Sequence, residues 1–477
     1  MVFSKTNIAS YRACVPIRSL ALAVTWVAAL LMATSTFAQQ NTAATAAQQK
    51  AFEQLTKKNL IGKAVSLSNN GYEEIDKAIQ RFRNGDGVGA VEFLKAAKEK
   101  YPKLPPVDTI YAKMHFAIRN ANAVKAGLVY LERSVVNNPD DPEAYLIMAD
   151  QAFQGRRITE ALALFDMVDP IVQKFNENTK RKQDFTVRLL AGRAAVAESR
   201  QQWEKAQGYL KQWVEMSPES AAAHHRLGGT LFQNGQPREA FEEFKKAREL
   251  DANVPHPYIS LAQMFSRAGD TDKAQKAYEK AYNEDKKDAK VARAYAEWLI
   301  RQGDLEQAQT IAKAMLAQDP NSITALLLDG IVAEMQGHSE QTKEAMTKIL
   351  SLDPSHFTAT DMMALLLIRS DDVADQERAL RYAEMNSRQF PNSPAANVTR
   401  AWVLHRLGRT AEFQAALQKV GRNQVPLDSA FLIAKLMVDQ DKKDAAIQQL
   451  EKLLNTKTGL FVFRREAEEL LKKLQSE

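Results

Sequence analysis

Cysteine is nearly absent, with one residue, Cys14, in 477. A disulfide framework and a cysteine-ligated zinc site are therefore both excluded. Helix breakers are scarce as well. The chain has 19 glycines and 16 prolines, below their usual shares of about 7% and 5%. Scarcity of both over this length predicts a mostly helical chain. No apolar run approaches the ~20 residues that a membrane-crossing helix needs. The rest is ordinary for a folded protein, with 45% hydrophobic and 26% charged residues. That balance excludes wholesale disorder and a polytopic membrane protein. Length alone gives a prior of roughly three domains.

The apolar run that stands out is short, 13 residues from Leu20 to Met32. Lys5, Arg12 and Arg18 precede it without an acid, and small residues follow, with Thr36 and Ala38 at the −3 and −1 positions of a cut. This is the pattern of a secretory signal over residues 1–38, cleaved after Ala38. Cys14 lies ahead of the apolar run, away from the cut, which argues against a lipid anchor. The expected mature chain, 39–477, then has no cysteine and no stable membrane span, and the expected location is periplasmic. Loss of the three basic residues leaves 61 basic against 58 acidic residues, so the net charge of +6 becomes +3. A broad nucleic-acid-binding surface loses its support with that change.

Residues 39–70 read as a linker with a lead-in helix over 52–67. From Gly71 onward one pattern returns. Four consecutive segments, 221–254, 255–288, 289–322 and 323–356, are each 34 residues long. Aligned, they place Gly235, Gly269, Gly303 and Gly337 at one position. The twentieth position holds Ala240, Ala274, Ala308 and Thr342. The thirty-second holds Pro320 and Pro354 in the last two, with Ala252 and Lys286 before them. An apolar-periodic helix ends at the glycine, where the chain turns, and a second amphipathic helix follows. Small residues at positions eight and twenty, such as Gly228 with Ala240 and Ala262 with Ala274, let the two helices approach closely. Phe244 and Tyr278 fill the space between units, and the proline stops the second helix. One such pair buries too little apolar area to stand alone, so stacking supplies the core.

Working outward gives units 71–104, 108–141, 142–186, 187–220, the four above, 357–393, 394–427 and 428–461. Pro102, Pro139, Pro218 and Pro391 fall at the stopping position of their units. Unit 142–186 is long, and its second helix is expected to run on through 165–185 with a kink at Pro170. Residues 462–477 read as a polar capping helix at the end of the 71–461 stack.

This pattern resembles the tetratricopeptide repeat family. The resemblance implies an all-α fold, an α-solenoid in which about eleven antiparallel helix pairs wind as a right-handed superhelix. It also implies a concave groove lined by the first helices, at positions two, five, nine, twelve and thirteen. Carried over, these give His225, His256, Gln263, Arg267, Lys290, Arg293, Glu297, Arg301, Trp402, His405 and Arg406 as candidate partner-binding residues. Arg188 and Arg369 join them, with the acids Glu143, Asp150, Glu198, Glu334 and Asp361 interspersed. A terminal-carboxylate clamp of Lys and Asn, known in the family, is absent from positions five and nine.

No catalytic constellation stands out. The seven histidines form no HExxH or other ligand spacing. Gly85-Asp86-Gly87-Val88-Gly89 lacks the elements of a phosphate loop and reads as an inter-helix turn. Glu242-Glu243 and Glu468-Glu469 read as solvated helix faces, and the Asn397 sequon falls on a helix. The expectation is therefore no enzyme, no cofactor and no metal. The sequence points to an exported scaffold that binds a protein or peptide partner, an acidic one along 267–301. The alternative is an accessory of envelope polysaccharide export or assembly, which rests on family analogy.

Overall fold

The computed structural model describes residues 72–118, 120–420, 425–456 and 459–476. The expected signal segment 1–38 and linker 39–70 lie outside the described residues. Among the described residues there are 23 α-helices and no strand. They divide into two units, 72–328 and 329–476, and each is described by itself.

Residues 72–328 hold seven successive helix pairs. These are α1 (Glu73–Arg83) with α2 (Gly87–Lys100), α3 (Val107–Ala117) with α4 (Ala121–Asn137), α5 (Pro142–Gln154) with α6 (Ile158–Lys174), and α7 (Thr179–Ser199) with α8 (Trp203–Met216). They continue as α9 (Ala221–Gln233) with α10 (Pro237–Leu250), α11 (Pro257–Arg267) with α12 (Thr271–Glu284), and α13 (Ala289–Gln302) with α14 (Leu305–Gln318). Helix α15 (Ile323–Gln336) contains the division between the units. After it come α16 (Ser339–Leu352), the pair α17 (Phe357–Leu367) and α18 (Val373–Gln389), the pair α19 (Pro394–Arg406) and α20 (Thr410–Val420), the pair α21 (Leu427–Asp439) and α22 (Lys443–Leu454), and α23 (Arg464–Ser476).

Local chemistry places the helix ends. Asp270 and Asp304 cap the second helices by accepting from the amides of Lys273 and Gln307, each at 3.1 Å, which satisfies donors that the helix cannot. In most pairs the turn holds one left-handed residue. Gly235, Gly269, Gly303 and Gly337 supply it at φ 76° to 85°. Three pairs use Arg156, Gln201 and Asp441 there instead, at φ 57° to 62°, a conformation that crowds a Cβ. The prolines act one residue upstream. Tyr101, Asn138, Ser217, Asp319, Asp353 and Phe390 each precede one, and each leaves the helix at φ −125° to −144°, as steric conflict with the proline ring requires. Asp251 and Asp285 adopt φ −142° without a proline after them, so the repeat register enforces the same stop.

One expectation is corrected. The helix through Pro170 does not run on to residue 185. Helix α6 ends at Lys174, Phe175 turns extended (φ −62°, ψ 123°), and α7 begins at Thr179. Two contacts make the break. Asn178 caps the new helix by accepting from the Arg181 amide at 3.1 Å. Phe175 packs edge-on against Phe185 at 5.3 Å, with both rings buried. The extra length therefore lies at the start of the next first helix, which reaches 21 residues.

The core forms between the two helices of a pair and between neighbouring pairs. A Cβ added to Gly228 would lie 2.8 Å from the Phe244 ring and 3.0 Å from the Ala240 carbonyl oxygen. Ala240, Phe244, Ala262 and Ala274 are all wholly buried. Tyr278, Tyr295 and Trp298 form a buried aromatic contact between α12 and α13, with Tyr278 stacked on Tyr295 at 5.9 Å and tilted against Trp298 at 5.2 Å.

Two stability outcomes follow. Ala274→Trp has no room beside α11 and is expected to lower the thermal midpoint by the equivalent of about 1–3 kcal/mol or more. An unchanged melt would place residue 274 elsewhere in the repeat. Gln201→Gly relieves a left-handed glutamine and is expected to raise stability by about 1 kcal/mol, measured by denaturant midpoint at constant slope.

Candidate functional site

The first helices of successive pairs present charged side chains to one another one repeat apart, and most of those charges are already neutralised. Arg188 on α7 donates from Nε to Asp150 on α5 at 2.6 Å. Arg226 on α9 donates to Glu198 on α7 at 2.8 Å, and Thr230 donates to the same carboxylate at 3.3 Å. In the 329–476 unit, Arg369, in the turn after α17, donates to Glu334 at 2.8 Å and to Glu466 on α23 at 3.1 Å. His405 on α19 meets Asp439 on α21 at 3.0 Å. Arg188, Arg369, Glu143, Asp150, Glu198 and Glu334 thus belong to internal ion pairs.

The tightest of these networks escaped the reading of the sequence. Lys113 and Glu143 are an ion pair with both residues buried. Arg181 reaches across from α7 to Asp141 at 2.7 Å and to Glu143 at 3.0 Å. Burial alone would raise the Glu143 carboxyl, but Lys113 and Arg181 hold it at about 2. The rings of Phe175 and Phe185 lie 5.2 Å and 5.0 Å from the Arg181 guanidinium. The one available signal was a lysine at a core-facing position of α3.

The remaining sequence candidates separate into three groups. Arg267, Glu297 and Arg301 surround Tyr278, with His225 near Arg267, Arg293 beside Glu297 and Gln263 one turn before Arg267 on α11. Burial pushes Tyr278 up to about 12, against the pull of Arg301 and Arg267, and Arg301 hydrogen-bonds its oxygen. Burial, aided by Arg267, lowers His225 to about 4, so its ring is neutral at neutral pH. The His225 ring contacts Ser260 Oγ at 3.3 Å. Arg293 lies 3.6 Å from Glu297 on the same helix. Burial raises the Glu297 carboxyl although Arg293 and Arg301 oppose it.

His256 and Lys290 belong to the inter-repeat turn instead. His256 Nε2 is 3.6 Å from Glu284, and Lys290 reaches Asn253 at 3.4 Å. The third group, Trp402, His405 and Arg406, lies in the 329–476 unit. Trp402 is only 6% exposed, because Lys435 lies over its ring at 4.8 Å. Asn397 is buried and donates to the Pro391 carbonyl at 3.1 Å, which closes the sequon to modification. Glu243 is more than a solvated acid, since His224 Nδ1 sits 2.6 Å from it. Among the described residues no group of three His, Cys, Asp or Glu side chains is placed to hold a metal ion, and no helix is long and apolar enough to cross a membrane.

Asp361, expected on the groove, is closed in. Burial pushes its carboxyl up to about 7, with Thr399 and Asn386 as hydrogen-bonding neighbours. Asp361 Oδ1 and Asn386 Oδ1 are both buried acceptors without a donor. A proton on Asp361 would satisfy both at once. An unfolded aspartate titrates near 3.9, so the folded chain holds the extra proton between that value and about 7. Stability from this group is therefore greatest at low pH and falls as pH rises to about 7. Asp361→Asn mimics the protonated acid. It is expected to raise the melting midpoint at pH 8 by roughly 2–4 °C and to leave it unchanged at pH 4. Equal destabilisation at both pH values would contradict the protonated assignment.

Comparison with known proteins accords with the repeat geometry. Tetratricopeptide repeat models match residues 219–287 and 266–328. The chain is 21% identical over 259 residues to the TPR repeat-containing protein MJ1428 of Methanocaldococcus jannaschii, covering 46% of this chain and 45% of that protein. It is 21% identical over 279 residues to the TPR repeat-containing protein YpiA of Bacillus subtilis, covering 53% and 65%. It thus spans less than two thirds of either curated relative. A solved tetratricopeptide repeat protein from Parabacteroides merdae aligns with 54% of this chain and 99% of its own, at 19% identity and a TM-score of 0.40. Residues 219–328 are thus tetratricopeptide repeats, a fold that supports a scaffold for protein or peptide partners.

Proposed function

We propose that this protein is an exported, non-catalytic scaffold that holds an acidic segment of a partner polypeptide against the arginines of 267–301. One observation carries the reading. Arg267 and Arg301 are exposed, have no carboxylate within 4.0 Å among the described residues, and lie about one tyrosine hydroxyl. Arg188, Arg226 and Arg369, by contrast, are met by carboxylates of the preceding repeat. An arginine left without such a partner is suited to a carboxylate from another chain, in a charge-assisted and often bidentate contact. Arg293 contributes less than its position suggests, because Glu297 already lies beside it. The neutral His225 ring adds a hydrogen-bonding group at the base of the cluster without adding charge. The leader over 1–38 supports export, and a partner in the cell envelope follows from it.

The test is photo-crosslinking in the cell from positions 267 and 301. Recovery of a reproducible protein through a segment rich in Asp and Glu is expected. Capture of a neutral or basic segment would overturn the acidic partner. The paired variant Arg267→Glu/Arg301→Glu is expected to weaken that complex at least tenfold, from loss of charged hydrogen bonds each worth about 1.5–3 kcal/mol. Its thermal midpoint should stay within about 2 °C, since exposed substitutions change stability little.

A further inference from the structure

A second site belongs to the 329–476 unit and is carried by different residues. Helices α17, α19, α21 and α23 enclose a concavity of about 240 Å³. Its floor is apolar, formed by Trp402, Phe431 and Phe463, all buried. Three cations line it, and their situations differ. Arg369 is engaged at both ends, by Glu334 at 2.8 Å and Glu466 at 3.1 Å. Lys435 and Arg406 have no carboxylate within 4.0 Å among the described residues. Asp439, the remaining acid on the lining, is held by His405 at 3.0 Å.

Lys435 is the unusual member. Its Nζ lies 4.8 Å from the centre of the Trp402 ring and 5.5 Å from that of Phe431, and the Arg406 guanidinium lies 6.0 Å from the same indole. Two cations therefore share one aromatic ring. Burial pushes the Lys435 ammonium below its ordinary value; Glu466 and, more weakly, Asp439 oppose that shift, and Arg369 and Arg406 add to it. Removing a cation from water without a counter-charge is unfavourable, and the ring face compensates only in part. Folding alone would be served as well or better by an apolar side chain of similar length.

We propose that this concavity binds the side-chain carboxylate of an aspartate or glutamate from a partner polypeptide, clamped between Lys435 and Arg406 above Trp402. The fit is both electrostatic and steric. The carboxylate supplies the missing counter-charge, and the methylenes of the incoming side chain lie on the apolar floor. A volume of about 240 Å³ is below the ~300–1,000 Å³ of sites that enclose whole ligands, and it suits a single side chain. Glu466 and Asp439 line the same concavity and would repel a phosphoryl dianion more strongly than a singly charged carboxylate.

Trp402 at the floor supplies the readout. The full chain carrying Arg267→Glu/Arg301→Glu is titrated with an acetylated, amidated Glu-Gly repeat peptide while tryptophan emission is followed, and Trp402→Phe identifies the responding ring. A saturable change that disappears with Trp402→Phe is expected, and Lys435→Met and Arg406→Met should each weaken it at least tenfold. Lys435→Met is also expected to melt no lower than its parent, which a merely structural lysine would not allow. No Trp402 response at millimolar peptide, undiminished affinity in both variants, or a midpoint lowered by Lys435→Met would overturn the site. So would a stronger response to a blocked phosphoserine peptide, or to a neutral peptide with a free terminal carboxylate. Because the unit 72–328 arginines are removed throughout, failure of the first site and failure of this one are read separately.

Discussion

The close approach of the two helices within each pair is the constraint on which everything else rests. Gly228 meets the Phe244 ring and the Ala240 carbonyl at distances that leave no room for a Cβ. The helices touch at small residues and the turns between them are short, and most of these turns hold a residue at positive φ. Because every pair is built alike, the first helix of one pair lies beside the first helix of the next. Register inside a pair therefore dictates which side chains meet between pairs.

That register explains the electrostatics. Arg188 with Asp150, Arg226 with Glu198, and Arg369 with Glu334 are all contacts between neighbouring repeats. Taken singly, partly exposed pairs of this kind contribute little to stability. The buried Lys113–Glu143–Arg181 cluster is different in kind. Its desolvation cost is large, and losing one member would leave a buried charge unmet. It is better understood as fixing how α3, α5 and α7 align than as adding net stability. The ladder also filters the surface, since a cation already held by a neighbouring carboxylate has little left to offer a partner.

Much of this was legible in the residues, and the boundary of what was legible is physical. The period, the turn glycines and the small contact positions appear directly, because each is a local requirement of a helix pair. The prolines were legible as stops, although their action through the preceding residue shows only in the dihedral angles. The break between α6 and α7 was hidden, because Asn178 and Phe175 act through a cap and a ring contact in a segment of otherwise helical composition. The groove residues were legible as positions but not as states. Arg188 and Arg369 looked like Arg267 and Arg301 until their partners Asp150 and Glu334 from the preceding repeat were in place. Trp402 looked open because Lys435, 33 residues later in sequence, is the group that covers it.

The same distinction separates burial that serves folding from burial that serves binding. Asp361 and Lys435 are both titratable groups drawn out of water. Asp361 can meet its environment by taking a proton, and the neighbouring Asn386 oxygen gives that proton an acceptor. Its burial is then resolved inside the chain. Lys435 faces two arginines and two aromatic rings, while Glu466 and Asp439 act on it only from beyond 4.0 Å. Its charged state therefore lacks a contacting carboxylate among the described residues, which one from outside would supply. A partly desolvated cation without a contacting carboxylate, set over an aromatic floor, is thus a stronger indication of a binding site than net positive charge over a wide surface.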